Sequence, residues 1–390
     1  MNKLEELMAE LCPNGVPQKR LDESCNIFDN KRKPITKSAR EFGIYPYYGA
    51  NGIQDYVSDY IFDGTYILIG EDGSVITASG NPVVNWVTGK VWVNNHAHIL
   101  GEKEGVLLRY LFHYIQTIDI SSLVHGNIPK LTGGDLRAIQ IPVPPIPVQE
   151  EIVRILDSFT ELTAELTAEL TARKKQYEYY RDSLLTHFTE AKNCKLADLC
   201  ESIADGDHMP PPKVDDGIPF ITISNITEQN KIDFSNTMYV PYSYYDALAE
   251  KRKPHSGDIL YTVVGSYGIP VCIEQNIKFV FQRHIAILRP KSEIVKSRYM
   301  FYVMQSGFFK AQAEKAARGV AQKTISLSSL AEMILPVPDI SIQERLVQVL
   351  DNFDSICSDL KIGLPAEIEA RRKQYEYYRE KLLAFHEMSN

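Results

Sequence analysis

The sequence has no long hydrophobic run. No segment approaches the about 18 consecutive apolar residues that a membrane-spanning helix needs, although 44% of the 390 residues are hydrophobic. The first residues, MNKLEELMAELC, have the spacing of an amphipathic helix rather than of a signal peptide. We therefore expect a globular cytoplasmic protein without a membrane partner.

Cysteine and histidine are too scattered to form a metal site or a disulfide framework. The six cysteines include no CxxC pair, and the nine histidines include no HExxH arrangement. Structural zinc sites and small disulfide-rich domains depend on such spacings. We expect buried free thiols, ordinary structural histidines and no bound metal.

Catalytic signatures are missing as well. Gly89-Lys90 is followed by valine and lacks the upstream glycine of a phosphate-binding loop. NPVV at 81–84 and MPPPK at 209–213 depart from the Asn/Asp-Pro-Pro-Tyr/Phe motif of amino-methyltransferases. No GxSxG motif is present. Together with the duplication described next, these absences favour recognition over chemistry, and we expect no catalytic residue.

What the sequence does contain is an internal duplication. RKKQYEYYRDSLL at 173–185 returns as RRKQYEYYREKLL at 371–383. IPVPPIPVQEEIVRILDSF at 141–159 returns as LPVPDISIQERLVQVLDNF at 335–353. Each half therefore ends in one shared module, which consists of a PVP entry, a helix headed by Gln-Glu and a basic, tyrosine-rich segment.

The first module predicts one long helix. Residues 149–188 contain neither Gly nor Pro, so we expect about 40 helical residues spanning roughly 60 Å. The second copy contains Gly363 and Pro365, and we expect its helix to kink or break there. Apolar residues three or four apart form a stripe on both copies, which predicts that the two helices pair with each other. Core helices of two separate domains are the simpler alternative.

Eleven residues are expected in this helix pair or in a docking surface for a partner, and for the tyrosines both roles remain open. They are Leu156, Phe159, Leu166, Tyr177, Tyr180, Leu184, Leu350, Phe353, Tyr375, Tyr378 and Leu382.

The segment before each module reads as a globule of mixed α and β structure. Short strand-like runs such as TYILIG and DILYTVV alternate with turn signals. The expected fold class is α+β: two mixed α/β domains separated by two long antiparallel paired helices, with a pseudo-twofold internal repeat. The expected segments are 1–147 (first domain with a short amino-terminal helix), 148–190 (first helical region), 191–338 (second domain) and 339–390 (second helical region).

The acidic excess lies outside the globules. The net charge is −8, yet residues 14–146 carry a net charge of −1 and residues 195–334 one of +1. The globules contain basic tracts, KRKPITKSAR at 31–40 and KRKP at 251–254. Lys and Arg neutralise phosphates, and Arg, Asn and Gln can bind base edges. For any single tract a solvated surface remains the simpler interpretation.

Duplicated placement strengthens the interpretation as a DNA site. Gly126 with Lys130, and Gly319 with Lys323, precede the two PVP entries at similar distances. The residues expected near DNA are Lys31, Arg32, Lys33, Arg40, Tyr47, Asn51 and Lys130 in the first globule, and Lys251, Arg252, Ser266, Arg283, Arg318 and Lys323 in the second.

The chain resembles the specificity subunit of a type I restriction-modification system, in the subgroup with TAEL repeats. The two PVP segments, the two tyrosine-rich segments and TELTAELTAELTA at 160–172 carry the resemblance. It implies a non-catalytic reader of double-stranded DNA that recognises a bipartite target with an unread spacer. It also implies two bound methyltransferase subunits and added restriction-translocase subunits. No cofactor is expected on this chain, while S-adenosylmethionine, ATP and Mg are expected on the partners.

Two other classes of protein stay open at this point. One is a DNA methyltransferase with an unrecognised active site, fused to the reader. The other is a coiled-coil scaffold whose globules bind protein rather than DNA. Neither accounts as simply for divergent globules joined to constant helices.

Overall fold

The structure is a computed structural model with two compact units. It describes residues 2–73, 75–186, 191–206, 211–319, 322–358 and 363–386. Unit 1 comprises Met1–Glu165 and Ile368–Asn390, and unit 2 comprises Leu166–Glu367. Within the described ranges, no helix combines the length and the apolarity that crossing a bilayer requires.

Unit 1 is built on a six-stranded sheet in the order β2-β7-β5-β6-β3-β4, in which only β3 and β6 are parallel. The elements that begin in this part of the chain are α1 (Asn2–Leu11), β1 (Gln18–Arg20), α2 (Leu21–Ser24), β2 (Asn26–Ile27), β3 (Phe42–Gly49), β4 (Gly52–Val57), β5 (Phe62–Gly70), β6 (Val84–Val93), β7 (Ala97–Gly101), α3 (Leu108–Ile115), β8 (Val124–His125), β9 (Lys130–Leu131), α4 (Gly133–Ala138), β10 (Gln140–Pro142) and α5 (Ile146–Thr186).

Unit 2 has an antiparallel sheet in the order β12-β18-β15-β16 and a smaller sheet in the order β14-β13-β17. Its elements are β11 (Lys192–Lys195), α6 (Leu196–Leu199), β12 (Cys200–Asp205), β13 (Ile218–Ile221), β14 (Met238–Val240), α7 (Tyr242–Asp246), β15 (Ile259–Thr262), β16 (Pro270–Cys272), β17 (Val280–Phe281), β18 (Ile285–Pro290), α8 (Ser297–Gln305), α9 (Gly307–Ala316), α10 (Leu327–Ala331), β19 (Ile334–Val337) and α11 (Ile340–Ser358), and α12 (Leu364–Leu383) follows.

The two globules share one core sheet. Strands β2, β7, β5 and β6 of unit 1 occur in the same order as β12, β18, β15 and β16 of unit 2. In each unit the first strand of the globule also pairs with the strand of the PVP entry, β1 with β10 and β11 with β19. The expected α+β character is therefore present in both units, on a common frame.

The two halves of helix α5 belong to different units. This 41-residue helix, predicted as one uninterrupted element, packs its Gln-headed part in unit 1 and its tyrosine-rich part in unit 2. In unit 1 the ring of Phe159 stacks on Tyr378, with centroids 5.2 Å apart. In unit 2 the ring of Tyr180 stacks on Phe353, with centroids 6.3 Å apart. The compact units thus differ from the four expected segments, because each core combines helical parts from both copies.

Most of the residues expected in the helix pair lie in these cores. Leu156, Tyr177, Leu350 and Leu382 are buried, and Leu184, Phe353, Tyr375 and Tyr378 are partly buried against the cores. Phe159 and Leu166 are half-buried, and Tyr180 is exposed at its outer side.

The glutamine of each Gln-Glu pair locks the helix to its globule. Gln149 is fully buried, donates to the carbonyls of Gly105 and Pro144, and accepts from the amide of Leu107. Gln343 makes the same three kinds of bond, to Ile294, Pro338 and Lys296. A buried polar group needs such partners, which explains why this residue is kept in both copies.

A second contact joins each globule to its helical module in both units, and the sequence analysis did not predict it. We call this contact the joint. Asp157 of α5 accepts hydrogen bonds from Arg109 and His113 of α3, each at 2.8 Å. The other ring nitrogen of His113 lies 2.9 Å from the hydroxyl of Tyr375 on α12. Burial lowers the pKa of His113 more than Asp157 raises it, so a neutral ring that donates to Asp157 and accepts from Tyr375 fits this position.

Unit 2 repeats the joint with different side chains. Asp351 accepts from Arg298 at 2.8 Å and from the hydroxyl of Tyr302. The signal in the sequence is the pair of motifs RYLFH at 109–113 and RYMFY at 298–302. Both motifs supply an arginine for the helix carboxylate.

We predict that Gln149→Ala lowers the free energy of unfolding by about 3 kcal/mol. The substitution leaves three backbone groups without their partner, and each unsatisfied buried group costs about 1–3 kcal/mol before water or relaxation compensates. Urea unfolding followed by circular dichroism measures the loss. The exposed neighbour Glu150 supplies the control, Glu150→Ala. Equal losses in the two variants would contradict the locking role.

Candidate nucleic-acid interface

Three loops meet at one end of the shared sheet in each unit, and we call this set the loop edge. In unit 1 it consists of 71–73, 94–97 and 125–131. In unit 2 it consists of 263–266, 282–285 and the described residues of 318–325. The first loop follows β5 in unit 1 and β15 in unit 2, and the second leads into β7 and β18. The third loop precedes the short helices α4 and α10, which come before the PVP entries.

The loop edge of unit 1 is held by backbone hydrogen bonds. The amide of Glu71 donates to the carbonyl of His96 at 2.8 Å, and the amide of Leu131 donates to the carbonyl of Glu71 at 2.9 Å. The amide of Gly73 donates to the carbonyl of Pro129 at 3.0 Å. The three loops therefore form one ordered surface.

Unit 2 has the same three bonds at matched positions. The amide of Val263 donates to the carbonyl of His284, and the amide of Ile325 to the carbonyl of Val263, both at 2.8 Å. The amide of Gly265 donates to the carbonyl of Lys323 at 3.1 Å. The backbone of the loop edge is thus duplicated even though its side chains are not.

This register changes one pairing that the sequence suggested. The bridge partners are Asp72 with Lys130 in unit 1 and Val264 with Thr324 in unit 2, so Lys130 corresponds to Thr324. Lys323 lies one residue earlier. The two loop glycines, Gly126 and Gly319, do correspond, because each follows the residue that bridges to this position, His125 to Lys130 and Arg318 to Thr324. Both adopt a positive φ (91° and 111°) that favours glycine.

Four predicted DNA-binding residues of unit 2 lie on its loop edge. Ser266, Arg283, Arg318 and Lys323 are all exposed. Nη1 of Arg318 donates to the carbonyl of Lys315 at 2.7 Å and to that of Ala317 at 3.4 Å. No acidic residue occurs among the described residues of this loop edge, so its surface is basic.

The loop edge of unit 1 has a different charge pattern. Lys130 is half exposed and its Nζ lies 3.3 Å from Glu71, while the ring of His96 is bonded to Asp72. Lys31 and Lys33 are exposed nearby, on the chain that precedes β3. The same backbone frame therefore presents a mixed charge pattern in unit 1 and a basic one in unit 2.

Arg32 is largely buried in unit 1, where it binds neighbouring acidic and carbonyl groups. Its guanidinium is 13% exposed, pairs with Glu71, and donates to the carbonyl of Ala97 at 2.9 Å. It also lies 3.7 Å from Asp29. Its predicted contact with DNA stays untested, but these partners occupy most of its donors.

His98 lies beneath the same loops and is 1% exposed. Its Nδ1 is 2.7 Å from Asp29, and its Nε2 is 3.0 Å from the carbonyl of Leu131. Burial alone would raise the pKa of Asp29, but the bond to His98 and the nearby Arg32 outweigh burial and hold the pKa below its usual value. Burial would likewise raise the pKa of Glu71, and Arg32 with His98 lowers it instead.

Three other predicted residues of unit 1 lie elsewhere on the sheet. Tyr47 is buried, with 1% of its side chain exposed and its hydroxyl 3.1 Å from the amide of Ile35, and its predicted contact with DNA stays untested. Arg40 covers this ring at 4.2 Å and pairs with Asp55 at 3.2 Å. Asn51 is exposed at the turn between β3 and β4.

Lys251 and Arg252 lie on a short 3-10 turn, Glu250–Arg252, beside β12. Lys251 is exposed, whereas Arg252 pairs with Asp205 at 3.2 Å. Asp205 is paired in the sheet with Ala286, two residues after His284 of the loop edge. The turn therefore lies next to the loop edge of unit 2.

The residues predicted to lie near DNA did not include the histidines of the loop edges. His96 and His284 occupy matched positions, and the motifs NHAHIL and RHIAIL were the signal. Burial, and then the neighbouring Arg283, lowers the pKa of His284. No group of three His, Cys, Asp or Glu side chains is arranged to hold a metal ion in the part of the chain that the structure describes.

Comparisons with known proteins agree with a DNA-reading role. The family model of the type I restriction modification DNA specificity domain matches residues 13–173 and 189–370. A putative type I restriction enzyme specificity subunit from Haemophilus influenzae is 35% identical, over 95% of this chain and 96% of its own. The specificity subunit of the enzyme EcoR124I/EcoR124II from Escherichia coli is 32% identical, over 72% and 71%.

Likeness of fold extends to solved structures. The crystal structure of a type I restriction-modification S subunit from M. genitalium has a TM-score of 0.54 at 15% identity, and the match covers 94% of this chain and 96% of that one. At that identity the match supports the fold alone.

We predict that Asp29→Asn destabilises the protein at neutral pH and has a progressively smaller effect in acid. Because the folded pKa of Asp29 is lowered, its contribution is fully present above the unfolded pKa of about 3.9. That contribution is lost as the pH falls through the lower folded pKa. Urea unfolding from about pH 6 to pH 3 measures the difference from wild type, with the exposed Asp59→Asn as control. A difference that does not shrink would contradict the charged network.

Proposed function

The chain belongs to the type I restriction modification DNA specificity family, and on that basis we propose that it reads a bipartite duplex target. Each unit reads one half-site, and the base pairs between the half-sites form an unread spacer. The chain itself is non-catalytic in this proposal. It directs adenine methyltransferase and restriction subunits to the site.

One observation carries the proposal: a duplicated loop edge with a constant backbone and different side chains. The same three backbone bonds recur in both units, while Glu71, Asp72 and Lys130 are replaced by Val263, Val264 and Thr324. Base sequence is read by side chains, and the frame only positions them. Two such surfaces with different side chains are suited to two different half-sites.

The helical modules are proposed to bind the partners. Tyr179 and Tyr377 occupy the same position in the two tyrosine-rich segments, and they are 70% and 59% exposed. Exposed aromatic residues are common in protein interfaces, and two equal surfaces suit two copies of one methyltransferase subunit. S-adenosylmethionine, ATP and Mg belong to the partner subunits in this proposal.

We also propose that the two modules run antiparallel and set the spacer. Phe159 meets Tyr378, and Tyr180 meets Phe353. Residue numbers thus rise along one module as they fall along the other. This order supports an antiparallel pair.

The function is tested by methylation with purified components. The chain alone should transfer no radiolabelled methyl group from S-adenosylmethionine to DNA, and adding the methyltransferase subunit should produce methylation at a bipartite sequence. Transfer by the chain alone would favour the fused methyltransferase. Binding that shows no preference for a bipartite sequence would favour a protein-binding scaffold.

Deleting one TAEL unit is predicted to shorten the spacer and leave both half-sites unchanged. Four helical residues span about 6 Å and turn the helix by about 40° beyond one full turn, so the faces stay nearly in register. That length equals one or two base-pair steps of about 3.4 Å. Mapping methylated adenines in cells that carry the deletion measures the spacer. The length-preserving Thr171→Ala is the control, and an unaltered spacer would contradict the ruler.

Arg283→Ala is predicted to reduce discrimination at one half-site only. Arg283 is exposed on the loop edge of unit 2, and a lost base contact costs about 1–3 kcal/mol at one position. Binding to targets with single base-pair changes maps the effect. Lys310→Ala, an exposed lysine of α9, is the control. Equal loss at both half-sites would contradict the assignment of one half-site to each unit.

A further inference from the structure

The tetrapeptide Lys-Arg-Lys-Pro occurs at 31–34 and again at 251–254, and the internal duplication does not explain it. In unit 1 it follows β2, the first strand of the shared sheet. In unit 2 it comes after β14 and just before β15, the third strand of that sheet. The two copies occupy different places in the repeat, so their similarity needs a different cause.

The fold brings both tetrapeptides to the same point. Sheet register pairs Ile27 with Leu100 in unit 1 and Ile203 with Leu288 in unit 2, and an aspartate follows two residues later in each case. The arginine of each tetrapeptide reaches that aspartate. Arg32 lies 3.7 Å from Asp29, and Arg252 lies 3.2 Å from Asp205.

The backbone of each tetrapeptide is fixed in a similar manner. The carbonyl of Lys33 accepts from the indole nitrogen of Trp92 at 2.7 Å. The carbonyl of Lys253 accepts from the guanidinium of Arg289 at 2.8 Å. In both units the third residue is therefore anchored by a side-chain donor, and a proline follows.

Three of the four flanking lysines face solvent, and the fourth lies over the ring of Tyr245, 5.8 Å from its centroid. Lys31, Lys33 and Lys251 are exposed, and Lys253 is 21% exposed with its Nζ 3.7 Å from the exposed Glu250. The aspartate offsets the charge of the arginine, whereas the lysines keep most of theirs. An ammonium group on a flexible stem is suited to phosphate as a point charge.

We propose that the two tetrapeptides are matched phosphate clasps for the DNA backbone, one beside each loop edge. The lysines contact phosphates without regard to sequence, and Arg32 and Arg252 are positioning residues that hold the clasp on the aspartate. This inference rests on the proposed function. It gives the same tetrapeptide one role at two unrelated chain positions while the loop side chains differ.

The test measures binding of the full chain to a mixed-sequence 40-base-pair duplex at several salt concentrations. Each neutralised phosphate contributes about 0.9 to the slope of log affinity against log salt. Lys31→Ala with Lys33→Ala, and separately Lys251→Ala with Lys253→Ala, should each flatten the slope by about 1.8. Affinity at low salt should fall by about tenfold or more. Arg32→Met and Arg252→Met should lower the thermal midpoint and flatten the slope by less than the lysine pairs do, because they loosen the clasp without removing a lysine.

The control removes two exposed lysines outside the loop edges, Lys19→Ala with Lys310→Ala. Its slope should match wild type. A wild-type slope in both lysine pairs, or an equal loss in the control, would overturn the clasp. Failure of the wild-type chain to bind any duplex at low salt would defeat the proposed function itself, so the two failures are distinguishable.

Discussion

Each compact unit depends on packing the tyrosine-rich part of one helical module against the glutamine-headed part of the other. A helix of 41 residues with a single apolar stripe cannot leave that stripe in water. In unit 2, Tyr177 of this helix and Leu350 of α11 are both buried in one core. Unit 1 is completed in the same way by Leu156 and Leu382. Neither core is complete without both copies, which accounts for the retention of both modules.

Buried polar groups fix how each globule meets its helix. Gln149 and Gln343 satisfy three backbone groups each, and Asp157 and Asp351 accept from matched arginines. Such groups tolerate few alternative arrangements, because an unsatisfied partner is costly. The constant residues of the chain are thus concentrated at this joint. The loops at the other end of the shared sheet are free to vary.

The loop edges of the two units do differ in their side chains. Unit 1 supports its edge with a buried network around His98, whereas unit 2 has Ala286 at the matched position and a basic surface above it. A constant backbone with different charges is suited to recognising different sequences with one docking geometry. The proposed phosphate clasps fit this division, because backbone contacts need to be equal where base contacts need to differ.

The sequence by itself determined the helices and the duplication, because a 3.6-residue period and the absence of Gly and Pro act locally. It also located the basic tracts that lie beside both loop edges. Only the tertiary structure decided which module halves pack together, why Tyr47 is buried, and why Arg32 faces Asp29 rather than solvent. Those outcomes depend on partners distant along the chain, such as Asp29 and His98, which are 69 residues apart. Local spacing carries no record of such contacts.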